Sequence, residues 1–220
     1  MLTGLRKFFR PLPGILAAIF FLSGSYRIQA QALSKIDKSF FLEVQSWRSD
    51  RSDVFFKIYS GSVLPVAFLI PAGIYGASAP GWKNDSSALS AALKTTAAAG
   101  TGFLLSWGLK KLIQRPRPYD ALPDVNPVLP LPDSRSMPSG HTSVAFSSAV
   151  ALCLEYPRWE VITPSLLWAG GVGFSRVMLG HHYPGDVLAG AALGSACAWL
   201  GWHAHKKLNA RHCRRSGWKK

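Results

Sequence analysis

The sequence predicts an all-α protein, an integral-membrane helical bundle of five or six transmembrane helices. Three observations carry that expectation. Charged residues make up 16% of the 220-residue chain and hydrophobic ones 48%, whereas about a quarter of a soluble domain is charged. The run from Ile58 to Ala79 holds no charge at all, and roughly 20 such residues cross a bilayer core. The formal net charge of +14 is unevenly spread: beyond His205 come Lys206, Lys207, Arg211, Arg214, Arg215, Lys219 and Lys220 with no acidic residue. A basic run beside apolar helices suits an anionic cytoplasmic lipid surface rather than nucleic acid. Mean hydropathy is only +0.13, so the pattern decides, not the average.

No internal repeat or composition shift divides the chain, which reads as one domain with flanks. Residues 1–30 have a basic start (Arg6, Lys7, Arg10), an apolar core from Ile15 to Leu22 and a small-residue stretch. They read as a secretory signal peptide or a first membrane helix, because the core is short for a span and Ile28 is not the small residue a cleavage site prefers. Residues 31–205 form the membrane domain and residues 206–220 a basic cytoplasmic tail. Within the domain, Ser34 to Asp53 interleaves Phe40, Phe41, Leu42, Val44 and Trp47 with charges, the pattern of an interfacial amphipathic helix or an ordinary surface one.

Ile58 to Ala79 is a transmembrane helix kinked by Pro65 and Pro71. After a polar turn, a helix runs from about Ala88 to Leu109, its Lys94 near enough to the entry to snorkel. Three shorter apolar stretches follow, Thr142 to Leu154, Val161 to Ser175 and Val187 to Trp202. Gly190, Gly194 and Ala198 lie one turn apart, which permits close helix packing. With the tail inside and helices alternating, the segments 110–138 and 176–184 meet on the outer, periplasmic face of the inner (plasma) membrane.

Three clusters lie in or beside those segments, at helix boundaries: Lys110 with Arg117-Pro118; Pro138-Ser139-Gly140-His141; and Ser175-Arg176, His182 and Asp186. Brought together, Lys110, Arg117 and Arg176 would surround one point with three cations, which suits a phosphoryl group. Ser139 and Gly140, at a helix start after Pro138, would add backbone N–H donors and the positive end of the helix dipole. His182 lies four residues before Asp186, so the carboxylate can hold one imidazole nitrogen and leave the other to attack phosphorus. His141 can protonate the leaving oxygen and later activate water. Register prefers His182 over its neighbour His181, and Lys110 with Arg117 over Lys111 with Arg115.

No carboxylate and histidine cluster suggests a metal, so no metal and no cofactor are expected. Cys153, Cys197 and Cys213 suggest neither a disulfide framework nor a zinc site.

In order and spacing the clusters resemble the three-part signature of the type 2 phosphatidic acid phosphatase superfamily: Lys-x6-Arg-Pro, Pro-Ser-Gly-His and Ser-Arg-x5-His-x3-Asp. The matching stretch, Lys110 to Asp186, is about a third of the chain. The resemblance implies a helical bundle, metal-independent catalysis through a phosphohistidine, inhibition by vanadate, and the same residue roles. The expected substrate is a phospholipid or polyprenyl phosphate: phosphatidic acid, phosphatidylglycerophosphate, undecaprenyl diphosphate or the lipid A phosphates. The main alternative is a secreted, soluble, non-specific acid phosphatase with the same site. A vanadium-dependent haloperoxidase is disfavoured by small size and apolar spans, and a non-catalytic lipid-binding protein by the presence of both His182 and Asp186.

Overall fold

A computed structural model describes residues 34–76, 86–128, 133 and 135–215; the amino-terminal segment 1–30 lies outside them. The chain falls into two compact units, Met1–Leu42 and Glu43–Lys220. In the first, residues 34–42 are helical. All described residues are helix, turn or loop apart from one isolated bridge between Pro116 and Arg135.

Helix α1 covers residues 34–46, and the helix expected from Ser34 to Asp53 is in fact interrupted. Ser49 restarts the chain as an N-cap in a reciprocal capping box with Ser52, which satisfies two backbone donors and opens α2, Asp50–Gly61. The uncharged run is also divided. Helix α3, Val63–Gly76, follows α2 with a bend of 40°. Pro65 explains the position of the break: it has no N–H for the Gly61 carbonyl, and its ring crowds that group.

Helix α4, Ser86–Ile113, is 28 residues long, or about 42 Å. It is rich in alanine and leucine, carries Lys110 and Lys111 in its last turn where cations favour the dipole, and stops at Gln114. There φ is +52° and Pro116 follows two residues later. A short α5, Pro118–Ala121, leads to α6, Gly140–Glu155, then α7, Trp159–Met178, and α8, Pro184–Arg215. Pro184 fits the first helical position of α8, where no N–H is needed. Residues 206–215 continue α8 as helix.

Helix α6 is the hub, in contact with α3, α4, α7 and α8. Its seam with α8 is made by small residues. A Cβ on Gly190 would stand 2.6 Å from the Ser139 carbonyl oxygen, and one on Gly194 would collide with that of Ser143. The packing reading of these glycines therefore holds: they let two backbones touch. Ala198 is buried with Ala98 and Ala151.

Side-chain polarity runs opposite to that of a water-soluble domain. Leu64, Phe68, Leu69, Phe103, Leu104 and Leu167 are more than half exposed, while Thr95, Ser106, Ser143, Ser147 and Ser175 are buried. Pro184–Leu208 is the one described helix long and apolar enough to cross a membrane alone, and α2 with α3 passes the same test as a bent pair. Serine, threonine and glycine dilute the hydropathy of α4, α6 and α7.

Candidate active site

The end of α4, the start of α6, the end of α7 and the start of α8 converge at one end of the bundle, and each motif spacing has a local cause. The N–H groups of His181 and His182 both fold back onto the Arg176 carbonyl, at 3.1 and 3.2 Å. Gly180 makes that turn with φ +77°, a conformation that costs an L side chain but not glycine. The five-residue gap between Arg176 and His182 is thus one helix cap. Gln45 reinforces it, donating from Nε2 at 2.6 Å to the Val177 carbonyl, which also accepts from the Gly180 N–H at 3.0 Å.

Lys110, Arg117, Gly140, His141 and His182 line one cavity of about 430 Å³. Its other walls include Asp133, Ser106, Val63, Leu64, Phe103 and Trp107. Val63 and Leu64 of α3, Phe103 and Trp107 of α4 and Val144 of α6 supply its apolar lining.

The cations are held by neutral acceptors. Lys110 donates from Nζ to the carbonyls of Arg135 and Ser136, at 2.7 and 3.1 Å. Arg117 donates to the carbonyls of Asp133 and His181, and its Nη1 lies 3.2 Å from His182 Nε2. Arg176 is 4% exposed and donates from Nη1 to Ser60 Oγ at 2.7 Å. Its Nε and Nη2 are buried with no hydrogen-bond partner among the described residues. Buried guanidinium donors left open in this way are costly unless an anion completes them. Burial lowers the Arg117 guanidinium below its ordinary value, against the pull of Tyr119 and Asp133. Burial, then the charges of Arg176, Arg117 and Lys110, hold His182 well below the ordinary imidazole value, so the imidazole is neutral with a lone pair available.

Asp186 is fully buried in the first turn of α8. It accepts from Arg115 Nη1 at 2.8 Å, from the Tyr183 N–H at 2.9 Å and from Ser136 Oγ. The expected direct Asp186–His182 hydrogen bond is not formed. Nδ1 of His182 stands 3.7 Å from Asp186 Oδ2 but 3.4 Å from Ser136 Oγ, because His182 precedes α8 rather than lying on it and the Ser136 hydroxyl occupies the gap. Ser139 also differs from expectation. Its N–H donates to the Asp186 carbonyl at 3.0 Å and its Oγ accepts from Thr142 at 2.9 Å. That backbone donor is committed to joining α6 to α8, while Gly140 lines the cavity. His141 lies in the first turn of α6 on the cavity wall.

Sequence reasoning missed three contributors: Ser60, Ser136 and the ion pair made by Arg115. Among the described residues no group of three or more histidine, cysteine, aspartate or glutamate side chains gathers to hold a metal ion.

The family model of the PAP2 superfamily matches residues 88–210, more than half of the chain. The chain belongs to the PAP2 superfamily. Its similarity to a lipid A 4'-phosphatase of Bacteroides thetaiotaomicron is 43% identity over 75 residues, covering 34% of this chain and 33% of the relative. An undecaprenyl-diphosphatase of Sulfolobus acidocaldarius is 36% identical over 91 residues, covering 41% and 44%. The chain thus spans less than half the length of either curated relative. The PAP2 fold extends further: the crystal structure of a transmembrane PAP2 type phosphatidylglycerolphosphate phosphatase from Bacillus subtilis superposes with a TM-score of 0.65 at 26% identity. That match covers 88% of this chain and 96% of that one.

Proposed function

We propose that this protein is a membrane phosphatase that hydrolyses a lipid phosphate or diphosphate without a metal, through a phosphohistidine on His182. Nε2 of His182 attacks phosphorus, the Nε2–P bond forms, and the bond to the leaving oxygen breaks with its electron pair passing to that oxygen. His141 protonates it, then takes a proton from the water that releases phosphate. Lys110, Arg117 and Arg176, with the Gly140 N–H and the Ser139 hydroxyl, hold the phosphoryl oxygens as charge redistributes among them.

The observation that carries this reading is the pair of open, buried Arg176 donors beside a buried neutral imidazole. The apolar walls from α3 and α4 favour a lipid over a soluble ester, as do the large apolar side chains exposed around the bundle. The proposed topology counts bent α2–α3 as one span and α4, α6, α7 and α8 as four more, with residues 1–30 either removed or a sixth. The basic tail lies in the cytoplasm, and the site opens on the outer face of the plasma membrane. The relatives, named for lipid A, undecaprenyl diphosphate and phosphatidylglycerolphosphate, support this class of substrate.

The test is phosphate release in chelator from phosphatidic acid, phosphatidylglycerophosphate, undecaprenyl diphosphate, lipid A and an aryl phosphate. A lipid preference is expected, with His182→Ala inactive and His141→Ala losing more on lipids than on the aryl ester, whose leaving group needs no proton. Turnover confined to the aryl ester, or requiring a metal, would contradict the proposal.

A further inference from the structure

The geometry points to Ser136 as the positioning residue that fixes the tautomer of His182 by relaying the charge of Asp186 through its hydroxyl. The inference rests on the reading of His182 as nucleophile and deepens it. Two contacts determine where the imidazole proton resides. Arg117 Nη1, 3.2 Å from His182 Nε2, can only donate, since guanidinium has no acceptor; Nε2 therefore carries a lone pair, and the ring proton is on Nδ1. At the other nitrogen, Ser136 Oγ lies 3.4 Å away while its own proton is directed to the Asp186 carboxylate, an acceptor-only group. A hydroxyl that donates to Asp186 keeps its lone pairs for the Nδ1–H.

Both ends of the ring thus demand the same tautomer, and the Nε2 lone pair that accepts from Arg117 is freed to attack phosphorus when that N–H turns to a phosphoryl oxygen. As the Nε2–P bond forms and the bond to the leaving oxygen breaks, the imidazole becomes a cation. The Nδ1–H bond to Ser136, and the Ser136 bond to Asp186, then strengthen without any proton crossing. The carboxylate is in turn held by Arg115 at 2.8 Å and the Tyr183 N–H at 2.9 Å, with its Oδ2 3.7 Å from Nδ1 and the hydroxyl nearer, at 3.4 Å. Ser136 is fully buried and its carbonyl accepts from Lys110, which anchors the relay to the cage.

The test compares full-length Ser136→Ala, Ser136→Thr and His182→Ala in detergent micelles with para-nitrophenyl phosphate as substrate and inorganic phosphate as competitive probe of the cage. Ser136→Ala is expected to lower kcat roughly 10–100-fold, the range for loss of an imidazole's outer partner, with KM and the inhibition constant for phosphate unchanged. Ser136→Thr, which retains the hydroxyl, should recover most of the loss. Nitrogen-15 spectra of the imidazoles should show His182 protonated at Nδ1, and a mixture of tautomers in Ser136→Ala. An undiminished kcat in Ser136→Ala while His182→Ala is inactive would overturn the relay and leave the nucleophile standing. Equal loss of kcat and of phosphate affinity, or no recovery in the threonine variant, would also overturn it. Turnover surviving in His182→Ala would remove the nucleophile reading and the relay together.

Discussion

Helix α4 carries a lysine near each end, Lys94 and Lys110, 16 residues and so about 24 Å apart, and the two are treated in opposite ways. Lys94 donates to both carboxylate oxygens of Glu155 on α6, at 2.8 and 2.9 Å, beside an apolar groove between α4, α6 and α8. Its charge is matched. Lys110 is held by two carbonyls, Arg176 by a serine hydroxyl and Arg117 by carbonyls, so these three charges keep their demand for an anion. Both ends contain partly or fully buried cations in a sequence poor in charge. Under the proposed function, Lys110, Arg117 and Arg176, which are held by neutral acceptors while Arg115 beside them pairs with Asp186, are the cations that bind phosphate, and this contrast separates a structural charge from a functional one better than burial does.

Substitutions at each end sharpen the contrast. Arg176→Gln should cause the larger loss, about 10²–10³-fold in kcat, as for removal of one donor to a developing anion, with little change in thermal stability; an equal fall in stability would assign Arg176 a packing role. Lys94→Met should do the reverse. Leaving Glu155 without its partner is expected to cost about 1–3 kcal/mol, read as a lower midpoint of thermal inactivation in detergent. Here kcat should stay within about twofold of the original protein. A large kcat effect from Lys94 would erase the distinction between the ends.

The same comparison explains what was legible in the sequence. Lys110 and Arg117, Ser139 to His141, and Arg176 to Asp186 could be found because each set is spaced by a single local structure: a helix end, a helix start, or a cap and first turn. The bundle itself was legible from uncharged runs and from Gly190 and Gly194, although Pro65 broke the clearest run at Gly61. The supports were not legible. Arg176 reaches Ser60 across 116 positions, Arg115 reaches Asp186 across 71, and Ser136 reaches Asp186 across 50. No periodicity connects residues so far apart, and only the folded bundle brings them together. Arg115 had attracted notice solely as a rival to Arg117. Its place against Asp186 instead separates neighbouring arginines on one loop, Arg115 facing the carboxylate and Arg117 facing His181 and His182.

The central claim, that the unmatched cations serve a phosphoryl transfer to His182, is tested most directly by trapping the phosphoenzyme. The purified protein, mixed with phosphorus-32-labelled phosphatidic acid and quenched within its first turnovers, should retain label that is stable in alkali and released by acid, as a phosphoramidate is, and His182→Ala should retain none. Label that survives in His182→Ala, or that is lost in alkali as from an acyl phosphate, would contradict the account.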